Sequence, residues 1–278
     1  MPYVGLDVAV MQGTTAALFD KLEGGEIGFD QSLEHAEGAG GQDSTIYSMI
    51  EPKGNVDTFL QTTGLLAKVT KAAVNGLPTV IEQIDGGVIG EDMRKQTSCY
   101  INSCKLSQQV GGAVKASFAW LALGMTTSAV TTAPAGNASG TTLQWVGATV
   151  ELNSAPYNCQ SWESNLENGL KLHTSLDAKT AGVYRMPEGI TPGNEKVTFT
   201  AEFKSKPDVG LLVDAPAAVT LAVTAKNTEA SPKTFTHTVV GKPKGLPVKL
   251  AKGEDEITWR IECEADYNAT GAWAYTLS

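Results

Sequence analysis

The stretch from Glu195 to Phe203, EKVTFTAEF, decides the fold class of this chain. From Val197 onward, apolar and polar side chains alternate at every position, and Val, Thr and Phe are residues that favour strands. Successive side chains of a strand point to opposite faces of its sheet, so strict alternation indicates a strand with one buried face. Antiparallel sheets commonly leave one face to water, and the stretch therefore predicts a half-buried antiparallel strand.

The same alternation recurs in segments on both sides of this stretch. The apolar positions of these segments are Val114, Ala116, Phe118 and Trp120; Val146, Ala148, Val150 and Leu152; Val219, Leu221 and Val223; and Ile257, Trp259, Ile261 and Cys263. Turn-forming residues separate the segments, as at Gly111-Gly112 and Ser231-Pro232. At least seven strands joined by short turns predict a mainly β body over residues 96–278, an antiparallel β-sandwich or barrel.

The first third of the chain has a different pattern. The Gly-rich polar stretch from Glu23 to Ser44 has no sustained period, so we expect a long N-terminal arm or loop-rich region over residues 1–55. Residues 56–73 carry apolar side chains at helical spacing after Asn55, an acceptable N-cap, and this predicts one short amphipathic helix. No linker composition separates these parts, so we expect a single domain over residues 1–278.

Composition and charge exclude several classes of protein. The chain has 278 residues, 42% hydrophobic and 18% charged, a mixture typical of globular proteins. Thirty acidic against 21 basic residues give a net charge of -9, which repels phosphate and argues against sequence-specific nucleic-acid binding. The start, Met1 to Asp7, lacks the basic and continuous apolar parts of a signal peptide. Lys115 interrupts the longest apolar region, so we expect no membrane partner.

Side chains that support enzyme chemistry are few and scattered. The three histidines, His35, His173 and His237, have no partner at metal-ligand or catalytic-triad spacing. His237 lies between two threonines in a strand pattern, so we interpret it as a packed or exposed strand residue. We therefore expect no catalytic residue, no metal site and no cofactor, and we do not expect an enzyme.

The four cysteines, Cys99, Cys104, Cys159 and Cys263, are interpreted as reduced, buried thiols. Cys99 and Cys104 resemble half a zinc site, but their spacing of five is an odd step, which puts side chains on opposite faces of a regular strand. Only a bulge or turn between them would bring both sulfurs to one metal. A metallohydrolase built on Cys99, Cys104 and His237 is the enzyme alternative.

More specific segments lie in the middle of the chain. They read SWESNLENGLK over residues 161–171, PEGI over 187–190, EKVTFTAEF over 195–203, CYINSCKLS over 99–107 and GGAVKASF over 111–118. Together they resemble the tail tube (major tail) proteins of long-tailed bacteriophages. In that family a strand leads into an Asn-Asn-Gly-Leu-like corner, a Pro-x-Gly-Ile-like turn and a Thr-rich strand. The corner here reads NLENGL over residues 165–170.

The resemblance implies a structural virion protein of the tail, assembled in the host cytoplasm. Its copies would form stacked rings around a hollow bore, through which DNA passes non-specifically during ejection. The other implied partners are the tape-measure, tail terminator and distal tail proteins. The chain is longer than a minimal single-module tube protein, so a hexameric ring and a pseudo-six-fold ring of three double units both stay open. The alternative function is a β-sandwich module that binds carbohydrate or a receptor through its tryptophans.

The resemblance also implies which strands form the inner wall of the tube. The polar faces of these strands give the residues that we expect to face the lumen: Lys105, Lys115, Ser117, Glu163, Asn165, Thr198, Thr200 and Glu202. Excess lysine or arginine on a long wall would hold DNA by releasing counterions from its phosphates. A neutral or acidic wall repels phosphate weakly, over a range of about 8 Å at physiological salt. We therefore expect DNA to slide along this wall.

Overall fold

A computed structural model shows a mainly β architecture and confirms the predicted antiparallel β-sandwich class. It describes residues 8–12, 15–16, 19–21, 33–35, 45–47, 51–60, 65–72, 74–88, 92–129, 146–173, 186–208, 217–227, 232–252, 256–265 and 271–278. Within these residues, no helix is long and apolar enough to cross a membrane.

The described residues form strands joined mostly by turns, and one short 3-10 helix. The strands are β1 Val8–Gln12, β2 Thr15–Ala16, β3 Phe19–Lys21, β4 Leu33–His35, β5 Thr45–Tyr47, β6 Lys53–Phe59, β7 Ile81–Val88, β8 Asp92–Gln109, β9 Lys115–Ala129, β10 Val146–Leu152, β11 Ala155–Tyr157, β12 Cys159–Glu167, β13 Lys171–His173, β14 Gly189–Thr191, β15 Lys196–Phe203, β16 Val219–Lys226, β17 Thr234–Pro243, β18 Val248–Lys252, β19 Glu256–Glu264 and β20 Trp273–Leu277. The 3-10 helix is Leu65–Lys68.

Two sheets face each other. The long sheet has the order β3, β6, β9, β8, β12, β15, β19, β18, and every neighbouring pair is antiparallel. The cover sheet has the order β11, β10, β16, β17, β20 and is also antiparallel. The end of β17 continues into the long sheet, where Lys242 and Pro243 pair with β19. Strands β13 and β14 form a separate pair, as do β4 and β5.

The core lies between the two sheets. The alternation that predicted the fold is confirmed there, because the apolar positions of β15 and β16 are buried: Val197, Phe199, Ala201, Phe203, Val219, Leu221, Val223 and Ala225. Trp273 of the cover sheet donates a hydrogen bond from Nε1 to Ser164 Oγ of the long sheet, at 3.3 Å. This contact joins the inner faces of the two sheets.

Strand β8 has 18 residues and takes part in two groups of strands. Residues 103–109 pair with β12, whereas residues 94–99 pair with β7, and β7 pairs in turn with β1. Strand β9 follows β8 along its whole length. At about 3.3 Å per residue, the part of β8 before Asn102 extends roughly 30 Å past the end of β12. We call β1, β7 and residues 92–101 and 120–129 the arm.

The helix predicted over residues 56–73 is wrong. Lys53–Phe59 form β6, which pairs residue by residue with β9, and the only helical turn described in this range is Leu65–Lys68. Val56, Thr58 and Leu60 are buried, which is the period of a strand. The apolar spacing of Val56 and Phe59 is typical of a helix. The buried position 58 of the strand carries a polar threonine, so the alternation of a strand was not apparent from the sequence.

The loop-rich region predicted over residues 1–55 falls largely outside the described residues. Where the structure describes it, strands β1 to β5 and the start of β6 are present. The loop expected from Glu23 to Ser44 lies outside the described residues except for β4. The single domain over residues 1–278 stays a prediction.

Candidate functional site

The eight residues predicted to face a lumen lie on one face of the long sheet. Lys105 of β8 is paired with Ser117 of β9 on one side and with Asn165 of β12 on the other. Asn165 is paired in turn with Thr198 of β15. Paired positions on neighbouring antiparallel strands carry their side chains on the same face. The structure therefore brings these residues into one row across four strands.

A second row runs parallel to the first, two residues further along each strand. It contains Lys115, Ser107, Glu163 and Thr200 in paired positions on the same four strands. Glu202 lies beyond Thr200 on β15 and is paired with Ser161. All eight predicted residues are exposed or half-buried, whereas the residues between them on each strand are buried. The alternation seen in the sequence therefore separates a polar face from the core.

The face extends beyond the predicted residues onto β19 and β6. Arg260, Glu262 and Glu264 of β19 are paired with Glu202, Thr200 and Thr198. On the other side, Asp57 of β6 is paired with Ser117. Lys242, at the end of β17, is paired with Glu264. We call the following set the polar face: Asp57, Lys105, Ser107, Lys115, Ser117, Ser161, Glu163, Asn165, Glu167, Lys196, Thr198, Thr200, Glu202, Lys242, Arg260, Glu262 and Glu264.

Sequence reasoning missed these added positions for two reasons. Asp57 fell in the segment that was predicted to be helical. The alternation of β19 was visible, but β19 is about 60 residues from β15 in sequence, so its place beside β15 could not be read from the pattern.

Charges of opposite sign are paired across the polar face. Lys105 Nζ lies 2.8 Å from Glu163 Oε2, and Arg260 Nη2 lies 2.9 Å from Glu262 Oε1. Glu264 Oε1 lies 3.9 Å from Lys196 Nζ. These are exposed pairs, so each contributes little to the free energy of unfolding, about 0–1 kcal/mol. The ion pairs do, however, keep each of these cations beside a carboxylate.

Glu264 also binds a lysine from the loop after β17. Lys244 Nζ lies 2.7 Å from Glu264 Oε2. This hydrogen bond lowers the pKa of Glu264, and it raises the pKa of Lys244. Glu264 therefore stays ionised at neutral pH and lies between two cations.

Another basic residue of the polar face, Lys115, lies over an aromatic ring. Its Nζ is 5.6 Å from the centroid of Phe59. The polar face carries five basic and six acidic side chains, a net charge of -1. A groove of about 460 Å³ on this face is lined by charges of both signs, including Lys105, Glu202 and Arg260. The surface therefore offers no concentration of positive charge to a phosphate.

Ser164 and His237 resemble a nucleophile and its base, but they are buried core residues. Both are 0% exposed. The Ser164 hydroxyl donates to His237 Nε2 at 2.6 Å, and His237 Nδ1–H donates to the Ala274 carbonyl at 2.9 Å. Burial lowers the pKa of His237 to about 4, so the ring is neutral. Both nitrogens are occupied and no substrate can reach the pair, which makes it a structural link between the sheets.

The cysteines are free thiols, as predicted. Cys99, Cys104 and Cys263 are buried, whereas Cys159 is half-buried instead of buried. Burial raises the pKa of Cys104, and it raises the pKa of Cys159 and Cys263 to about 12. These thiols are therefore protonated and unreactive at neutral pH.

Cys99 and Cys104 are both buried in β8 despite their odd spacing. The pairing of β8 with β9 shifts between Ile101 and Ser103, so Asn102 is an extra residue in β8. This bulge brings the side chains of Cys99 and Cys104 to the same, buried face of the sheet. The bulge that a metal site would need is thus present. Within the described residues, however, no three His, Cys, Asp or Glu side chains are grouped so that they could hold a metal ion.

The described tryptophans do not form an exposed binding groove. Trp120, Trp162 and Trp273 are buried in the core. Trp259 is half-buried, and Lys206 Nζ lies 5.5 Å from the centroid of its ring. Trp145 lies outside the described residues. The cluster of exposed indoles that a carbohydrate-binding module would use is absent from the part of the chain that the structure describes.

Comparison with known proteins identifies the family of this chain. The family described as "Phage tail tube protein" matches residues 67–271. This range contains β8, β9, β12, β15 and β19, the strands that carry most of the polar face. No curated protein matches the chain. Since the match covers well over half of the sequence, this chain belongs to the phage tail tube protein family and is a structural protein of a phage tail.

Proposed function

We propose that copies of this chain join side by side into rings, that the rings stack into a hollow tube, and that the polar face lines its bore. The observation that carries the proposal is the polar face itself. Polar residues lie in register across neighbouring strands, while their opposite face is the buried core. Membership of the tail tube family supports a structural role. In the proposed tube, the continuous polar face forms the wall of the bore.

Sideways joining through sheet edges fits the topology of the long sheet. Within the described residues, β3 and β18 each pair with only one strand of this sheet, so they are its edges. The sheet has eight alternating antiparallel strands, so β3 and β18 run in opposite directions. Rotation about a tube axis keeps strand direction. The β18 edge of one copy can therefore meet the β3 edge of the next as an antiparallel pair.

The β18 edge also exposes apolar side chains. Leu246, just before the strand, is 67% exposed, and Val248, whose pairing with Arg260 places its side chain on the polar-face side of this edge, is 56% exposed. Burying these side chains against a neighbour would add hydrophobic free energy to the hydrogen bonds of the edge. An exposed sheet edge can pair with the strands of other chains. In the ring, the β18 edge would instead be covered by the neighbouring copy.

DNA passage follows from the charge of the polar face. Lys105, Lys196 and Arg260 lie within 4 Å of carboxylates, so a phosphate that approaches them also meets a negative charge. The net charge of -1 per copy gives a nearly neutral wall, and its weak repulsion of DNA acts within a range of about 8 Å. DNA would find no position at which to bind by counterion release. The bore would conduct DNA during ejection without holding it.

The ends of such a tube need other proteins. We extend the proposal to a tape-measure protein within the bore and to terminator and distal tail proteins at the two ends, with assembly in the host cytoplasm before release in the virion. Family membership supports a tube made with other tail proteins. Rings of six copies and rings of three double units both satisfy the edge pairing described above.

Labelling of assembled protein tests which face lines the bore. Thr200→Cys introduces a thiol at the centre of the polar face, and Thr224→Cys introduces a matched thiol on the outer face of the cover sheet; both threonines are half-buried strand residues. Electron microscopy should show hollow tubes for both variants. A bulky maleimide polymer should label the two variants equally as unassembled protein, but among tubes it should label only those of Thr224→Cys. Equal labelling of both kinds of tube, or wild-type protein that stays monomeric at high concentration, would overturn the proposal.

A further inference from the structure

The edge of the long sheet beside β19 is built from two successive segments of the chain. The end of β17 pairs with β19, and β18 then continues along the same side of β19. From Lys242 to Val248 the edge advances six residues, whereas β19 moves only four, from Glu264 to Arg260. The two extra residues make a bulge in the edge. We call residues 244–247 the edge bulge.

Lys244 holds the edge bulge in place. Its N–H donates to the Glu262 carbonyl at 2.9 Å, and its Nζ lies 2.7 Å from Glu264 Oε2. Gly245 and Leu246, the next two residues, are exposed. The bulge therefore interrupts the edge at a fixed position along β19.

The hydrogen bonds of β19 show which backbone groups of this edge point away from the sheet. The Ala265 N–H, just after β19, donates to the Val197 carbonyl, so the odd-numbered residues of β19 bond to β15. The even-numbered residues bond to the edge, as the Glu262 carbonyl does. Strand β18 pairs with β19 even to even, so its even-numbered residues bond inward. The N–H groups of Lys249 and Ala251 therefore point outward.

Prolines occupy the other outward positions of this edge. Pro243 is opposite Cys263, an odd-numbered residue of β19, and Pro247 directly precedes the inward-bonding start of β18. Proline has no N–H, so neither position can donate to a strand added from outside. Along the paired parts of residues 242–252, all of which the structure describes, outward N–H groups are thus present only at Lys249 and Ala251.

We propose that Pro243 and Pro247 confine lateral pairing to β18 and so select the short strand β3 of a neighbouring copy as its partner. The inference rests on the proposed function, because it assumes that copies join into rings. The open edge at β18 has five residues, about 17 Å, and β3 has three. A strand as short as β3 fits this edge, whereas a longer strand would meet the edge bulge and the prolines.

The two prolines are therefore specificity-determining residues for ring assembly. Pairing that can start and end only within β18 fixes the height along the bore at which two copies join. An edge with donors on both sides of the bulge could pair at several heights, and copies joined at different heights would form an open ribbon instead of a closed ring.

A proline at position 249 tests the outward donors directly. Lys249→Pro deletes an N–H that bonds to no other strand of the same copy, and proline is tolerated at such edge positions. The matched control Lys249→Ala removes the charged side chain but keeps the N–H. Lys249→Pro should raise the protein concentration needed for rings by about tenfold or more. The control should assemble as the wild type does, and both variants should have similar melting temperatures.

Removal of the native prolines gives a second measurement. Pro243→Val/Pro247→Val restores both outward donors and keeps apolar side chains of similar size. Electron micrographs of this variant should show open ribbons beside the rings, and the ribbons should bind thioflavin T. The control Pro232→Val, at an exposed proline just before β17, should give rings without ribbons.

Failure of this inference and failure of the proposed function give different results. If the wild type forms tubes, equal assembly of Lys249→Pro and Lys249→Ala would overturn the pairing at β18 and leave the tube and the lining of its bore intact. Rings without ribbons from Pro243→Val/Pro247→Val would contradict the role of the prolines. Wild-type protein that forms neither rings nor tubes would overturn both the inference and the proposed function.

Discussion

At the scale of single residues, His237 is buried among aromatic rings in the core. Its ring lies against Trp273, with ring centroids 4.8 Å apart, and it is stacked with Phe235. Both ring nitrogens are used in the hydrogen bonds to Ser164 and Ala274. A proton on Nε2 would remove the acceptor for the Ser164 hydroxyl and place a charge between two sheets, so folding favours the neutral ring.

The stability of the protein should therefore depend on pH through His237. Burial lowers the pKa of His237 from 6.5 to about 4, so the unfolded chain takes up this proton first as pH falls. The contribution is fully present above pH 6.5 and is lost as pH falls toward 4, by about 3 kcal/mol in total. Urea unfolding at pH 7.5 and 5.0 should show a fall of roughly 2 kcal/mol from this residue.

Variants separate this effect from that of the carboxylates. His237→Gln should lose the dependence between pH 7.5 and 5.0, whereas His173→Gln, at an exposed histidine, should keep it. Glu264, whose pKa is lowered, acts below this window. An equal slope in His237→Gln and the wild type would contradict the assignment.

At the scale of elements, the corner after β12 joins three parts of the chain. Asn168 is 0% exposed, and its side chain holds the end of the 3-10 helix and strand β8 through their carbonyls. The next residue, Gly169, has a φ of +60°, and a Cβ there would lie 2.7 Å from the Asn194 carbonyl oxygen. The corner therefore requires glycine at this position, which gives a physical reason for the Asn-Gly sequence.

Removal of the Asn168 side chain should loosen this corner. Asn168→Ala leaves the Val69 and Ile101 carbonyls without their donor, and we expect a loss of about 2–3 kcal/mol in the free energy of unfolding. Trypsin should then cut after Lys68 or Lys71 faster than in the wild type, as followed by mass spectrometry. The control Asn165→Ala, on the polar face, should change stability by less than about 0.5 kcal/mol. Equal proteolysis of Asn168→Ala and the wild type would contradict this role.

The sequence predicted those elements whose two faces differ in polarity. Alternation identified β9, β15, β16 and β19, whose two faces differ in polarity, although at the start of β19 Thr258 is buried and Trp259 is half-buried. It failed for β6, where the buried Thr58 is polar, and a threonine in the pattern does not reveal burial. Likewise, the bulge at Asn102 brings Cys99 and Cys104 to the same face of the sheet, whereas their spacing predicted opposite faces. No residue type in that segment indicates a bulge.

The candidate site was predictable to a similar degree. The eight residues predicted to face a lumen are on the polar faces of strands that resemble the family's inner wall, and they do lie on one face of the sheet. That this face lines a bore stays a prediction. The extension onto β19 depends on which strands are neighbours, and long-range pairing leaves little local signal.

For the whole molecule, the exposed β18 edge lies at one side of the long sheet. If copies join through this edge, a substitution there should act on ring closure while the fold of each copy is kept.

Leu246→Asp should block ring closure. A buried carboxylate at the β18 edge is costly, so the concentration needed to form rings should rise by about tenfold or more. Size-exclusion chromatography and electron microscopy should find monomer where the wild type forms rings. Val80→Asp, at a 42% exposed position away from β18, should assemble normally. Normal rings from Leu246→Asp would show that this edge is not the lateral contact.

The continuity of β8 has a mechanical consequence. One strand passes from the arm into the sheet that bears Lys105, and its bulge is clamped where the Asn168 N–H and the Leu170 N–H donate to Asn102 at 2.7 and 2.8 Å. The junction between arm and sheet is thus held by two hydrogen bonds to the bulge residue. If copies stack as we propose, we expect a rotation of the arm to turn the sheet of the same copy with it.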